Sequence, residues 1–94
     1  MIQSLSMNYF GLDSEDARTI SKILVPLSDL PLMKLSLIGN DIRSIGVRRI
    51  SGGLLDNRTL VHLNLSLNPI SDKGIEHISS ALPFWFDILI NNLE

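Results

Sequence analysis

Apolar residues recur along this chain on an uneven rhythm. In the stretch 32–42, Leu32, Leu35, Leu37, Asn40 and Ile42 lie 3, 2, 3 and 2 residues apart. A helix repeats near 3.6 residues and a half-buried strand at 2, so no single element accounts for the spacing. A shift of 28 residues lays the same letters onto Leu60, Leu63, Leu65, Asn68 and Ile70. The match continues through Gly46 and Gly74, Ile50 and Ile78, and Leu54 and Leu82. A shift of 30 in the other direction puts Ile2, Leu5, Met7, Phe10, Leu12, Asp16, Ile20 and Leu24 in the same eight slots, with Phe10 replacing the asparagine and Asp16 the glycine. The change of spacing falls in the connection that holds Pro26 and Pro31.

Each unit has two halves. Around Leu35 and Leu37, and around Leu63 and Leu65, apolar and polar residues alternate, which predicts a short strand with one buried face. Ala17, Ile20 and Leu24, then Val47, Ile50 and Leu54, then Ile75, Ile78 and Leu82, follow i, i+3, i+7 and predict a helix with one buried stripe. Ser14, Ser44 and Asp72 hold equivalent positions before these stripes and are expected to cap the helices. A short strand buries nothing alone, so the units must stack, with strands pairing in parallel, helices in a second layer and leucines between. Asn40 and Asn68 stand where the strand turns and are expected to form a ladder that satisfies backbone groups. Gly46 and Gly74, in the first helical turn, are expected to let each helix approach its neighbours, whereas Gly52 and Gly53 late in the second helix each cost about 1 kcal/mol against alanine.

These two copies resemble the leucine-rich repeat segment LxxLxLxxNxL, and the spacing through Gly46 or Gly74 is similar to the ribonuclease-inhibitor-like subclass of that family, with units of about 28 residues. The resemblance is strong over residues 32–82 and weaker over 2–24. It implies an α/β fold: a right-handed solenoid with short parallel strands on the concave face and helices on the convex face. One domain, 1–94, would hold units of about 2–31, 32–59 and 60–87, with 84–94 a cap or the start of a truncated further unit. Phe84, Trp85 and Phe86 have no counterparts in the earlier units, and the segment 84–90 is either core or cap, or a patch for self-association.

Composition narrows the chemistry. Ninety-four residues suffice for one core, and a 45 % apolar share with 19 % charged residues describes a globular chain. The net charge of -2 leaves no basic footprint for nucleic acid. No secretory pattern opens the chain and no apolar run approaches the ~18 residues of a membrane span. With no cysteine, the chain reads as soluble and cytoplasmic, with the nucleus or the cytoskeleton as compatible locations. His62 and His77 show no metal-ligand spacing, and the serines and glycines form neither a nucleophile elbow nor a phosphate loop. No enzyme activity, cofactor, metal, nucleic acid or membrane partner is expected.

What remains for function is the strand face turned away from the leucines. Lys34, Ser36 and Ile38 in one unit, and His62, Asn64 and Ser66 in the next, are expected to point outward, with Asp41 at the rim and Ser4, Ser6 and Asn8 as weaker counterparts. Relatives commonly bind proteins there, so the expected function is a protein-interaction or scaffold module. Two alternatives stay open: a regulatory binder of a small GTPase or of actin, as the resemblance to Ran GTPase-activating proteins and tropomodulins implies, and a structural fragment of a larger repeat protein that self-associates.

Overall fold

A computed structural model describes residues 3–24, 32–55, 57–82 and 86–90. Ile2, the connection 25–31 with its two prolines, Asp56, Phe84 and Trp85 lie outside these residues. Strands and helices alternate: β1 (Ser4–Ser6), α1 (Asp16–Leu24), β2 (Lys34–Ser36), α2 (Ser44–Leu54), β3 (His62–Asn64), α3 (Asp72–Ala81) and β4 (Asp87–Leu89). The four strands form one parallel sheet in chain order. The register sets Leu5 beside Leu35, Leu35 beside Leu63, and Leu63 beside Ile88. The first two steps are the 30- and 28-residue shifts of the repeat; the third is a shift of 25.

Asp87 opens a fourth strand inside the segment 84–94, expected as a cap or the start of a further unit, and Ile88 and Ile90 take the slots of Leu63 and Leu65. Phe86, Ile88 and Ile90 pack, half-buried, against the core. The core itself lies between the sheet and the helices. Leu35, Leu37, Leu63 and Leu65 come from the strand side, and Ala17, Ile20, Leu24, Val47, Ile50, Leu54 and Ile78 from the helices. Ile75 departs from its expected place and is 41 % exposed, although its counterpart Val47 is fully buried. Val47 lies on a helix flanked on both sides, whereas no helix beyond α3 exists among the described residues to cover Ile75. At the other end of the stack, Leu5, Met7, Leu12, Ile20 and Ile23 line a groove of about 370 Å³.

The helix starts also differ from expectation. Asp13 is the residue that caps α1: its carboxylate accepts from the backbone N–H groups of Glu15 and Asp16, and Asp16 accepts in return from the Asp13 N–H. Ser44 and Asp72 lie inside the first turns of α2 and α3, and the residues before them, Arg43 and Ser71, make no side-chain cap. The serine hydroxyls turn sideways instead. Ser14 Oγ accepts from the Arg43 N–H and Ser44 Oγ from the Ser71 N–H, both at 3.4 Å, which stitches each helix start to the next unit.

Glycine marks the close approaches. A Cβ on Gly46 would lie 2.7 Å from an Ile42 methyl and 3.2 Å from Ser14 Oγ; on Gly74 the corresponding contacts are Ile70 at 2.5 Å and Ser44 Oγ at 3.3 Å. Gly53 is also a contact point: a Cβ there would come within 2.7 Å of the Ser21 carbonyl oxygen on α1. Gly52 faces open space.

Candidate functional site

The strand ends are organised by asparagine. Asn40 Oδ1 accepts from the N–H groups of Phe10 and Leu12, and its amide nitrogen donates to Met7 O and Leu37 O. Asn68 repeats the pattern one unit later, accepting from the Ile42 N–H and donating to Leu37 O and Leu65 O. Each asparagine therefore closes its own turn and the turn of the unit before it. This explains how the first unit tolerates Phe10 in the asparagine slot: its turn is completed by Asn40. A further asparagine, Asn57, holds the return loop, donating to Leu24 O and accepting from the N–H groups of Thr59 and Leu60.

The register then sets out the open face of the sheet. Ser4, Lys34, His62 and Asp87 form one row across the four strands, and Ser6, Ser36, Asn64 and Leu89 form a second. Neighbouring strands lie about 4.8 Å apart, so each row spans roughly 14 Å. Lys34 is exposed, while Ser36, His62 and Asn64 are half-buried. His62 Nδ1 meets Asp87 Oδ2 at 2.7 Å. Asp41 lies at the rim, 3.2 Å from Arg43 Nε. Ile38 is half-buried in the turn that follows β2. Ser66, in the repeat slot of Ile38, is 8 % exposed.

One polar residue of this face is absent from the outward set expected from the sequence. Asp87 reaches it through the fourth strand, and the alternation of Asp87, Ile88, Leu89 and Ile90 is a signal that a 25-residue shift brings into line. Asn8, a weaker counterpart in the sequence, is bonded directly to the face: its Oδ1 accepts from Ser36 Oγ and from the Ile38 N–H, both at 2.8 Å. On the helix side, Arg49 donates to the Ser14 carbonyl and lies 3.7 Å from Glu15 Oε1, bracing α2 against the first unit. Among the described residues no cluster of three or more histidine, aspartate or glutamate side chains could hold a metal, and no helix is long and apolar enough to cross a membrane.

Residues 56–79 match the family model described as Leucine Rich repeat. That segment is similar to a leucine-rich repeat. It spans β3 and most of α3, and so covers Leu60, Leu63, Leu65, Asn68 and Ile70 with the strand and helix they shape. The α/β alternation and parallel pairing on either side of it fit the same repeat. Domains built from such repeats generally serve as protein–protein interaction modules and are typically non-enzymatic. A comparison with curated proteins finds no match for the chain.

Proposed function

We propose that this chain is a non-enzymatic interaction module that binds a protein partner through the open, concave face of its sheet. The contact residues would be Lys34, Ser36, Ile38, Asp41, His62 and Asn64, with Asp87 added by the fourth strand. The observation that carries the reading is the alignment of Lys34, His62 and Asp87 in one row and of Ser36 and Asn64 in the next, which gathers polar side chains from three strands onto one surface. The regular repeat and its glycine contacts support a right-handed, ribonuclease-inhibitor-like solenoid as the scaffold.

Affinity capture from cell lysate tests the proposal with two charge reversals. Lys34→Glu alters the open face; Arg48→Glu alters an exposed residue of α2 on the helix side. Loss of the captured proteins with Lys34→Glu and retention with Arg48→Glu supports the reading. Retention with Lys34→Glu together with loss with Arg48→Glu overturns it.

A further inference from the structure

The open face has a polarity of hydrogen bonding that its composition hides. Asn8 and Asn64 flank Ser36: Asn8 is bonded to the Ser36 hydroxyl, and Asn64 is the register partner of Ser36 on the adjacent strand. Both asparagines spend their oxygens on backbone N–H groups, Asn8 on Ile38 and Asn64 on Ser66. A planar amide with its oxygen held this way presents its NH₂ on the other arm, and that arm can only donate. Neither amide nitrogen is bonded to a described residue, and neither is buried. Lys34 adds an ammonium group two residues before Ser36 on the same face, exposed and outside every ion pair among the described residues. The two nearby carboxylates are already engaged, Asp87 by His62 and Asp41 by Arg43.

We infer that the face around Asn8, Lys34 and Asn64 binds an extended, acidic segment of its protein partner. The inference rests on the open face being the binding surface. Asn8 and Asn64 are two strand spacings apart, with Asn8 two residues further along the chain than Ser6, the β1 register partner of Ser36, so about 12 Å separates their α-carbons, which roughly four residues of extended chain cover. Carboxylates on alternate residues of such a segment point to one side and meet the three donor groups together. Charge-assisted hydrogen bonds favour carboxylate over neutral acceptors there. Asp87 directs the acidic residues toward β1, β2 and β3, away from the last strand.

The test uses labelled peptides of about seven residues with aspartate, asparagine or lysine at alternate positions, fluorescence anisotropy for affinity and amide chemical shifts for location. The aspartate peptide is expected to bind, to shift residues 34–38 and 62–64, and to weaken as salt rises. Asn8→Asp and Asn64→Asp keep the oxygen that the backbone needs and replace only the outward donor. Each is expected to weaken the aspartate peptide about tenfold or more, with the circular dichroism spectrum unchanged. Equal affinity of these variants for the aspartate peptide overturns the inference. Preference for the asparagine or lysine peptide at the same residues also overturns it, while leaving the open face as the binding surface. Shifts confined to the helices overturn both.

Discussion

The Tyr9 ring lies against the α-carbon of Gly39, in the space that any side chain at position 39 would fill. The two residues hold the same slot in successive units, together with Leu67, and all three have positive φ, at 58°, 69° and 58°. Glycine adopts this conformation freely; other residues give up about 1–2 kcal/mol. Gly39→Ala is therefore expected to lower stability by about 1–2 kcal/mol in urea denaturation. The double variant with Tyr9→Ala should recover only the part due to overlap with the ring. Leu67→Gly, at a half-exposed position, should raise the urea midpoint; a lower midpoint contradicts the account of strain.

Gly52 and Gly53 form a neighbouring pair with opposite expectations. Gly52→Ala replaces a poor helix former where nothing obstructs a methyl group and should stabilise α2 by about 0.5–1 kcal/mol. Gly53→Ala drives a methyl group toward the Ser21 carbonyl and should destabilise the protein despite the same gain in propensity. Thermal melts of the two variants decide the point by the sign of the change.

Asn68 and Asn64 separate structural from surface asparagines. Asn68 is 2 % exposed and serves one N–H and two carbonyls across two units. Asn68→Ala leaves these groups without partners in the core and should cost about 3 kcal/mol or more. Asn68→Asp should be as severe, since it sets a carboxylate against Leu37 O and Leu65 O. Asn64→Asp keeps its bond to the Ser66 N–H and should change stability by less than about 0.5 kcal/mol. Equal urea midpoints for Asn68→Asp and Asn64→Asp would refute the distinction.

Asp13 links the first helix to pH. Its carboxyl is held below the ordinary value of 3.8, chiefly by the Asp16 backbone N–H and further by the Asp16 side chain and the Glu15 N–H. A lowered folded value means a contribution fully present above 3.8 that disappears as pH falls through the folded value. Asp13→Asn keeps an acceptor without the titration. The difference in urea midpoint between wild type and Asp13→Asn should stay constant above about pH 5 and shrink toward acid. A difference that does not vary with pH contradicts the linkage.

The parts of this fold legible in the sequence are those that packing repeats. Leu35, Leu63 and their partners recur because each unit buries the same strand and helix faces, and the 28-residue echo is the register of β2 with β3. The fourth strand was hidden by a shorter step of 25 residues and by aromatic letters with no earlier counterpart. Ser14 and Ser44 show that a good capping residue can face sideways into the next unit when the geometry offers a partner there. The site was legible as a face but not as a chemistry. Which arm of Asn8 or Asn64 faces outward depends on backbone N–H groups placed by the turns.

The backward reach of Asn40 also has a direction in time. A chain leaving the ribosome N-terminus first exposes the turn at residues 10–12 before the side chain that completes it exists, for Asn40 follows Leu12 by 28 residues. Each unit thus waits for its successor, and nascent segments of this chain should become protected from protease one unit behind the length that has emerged.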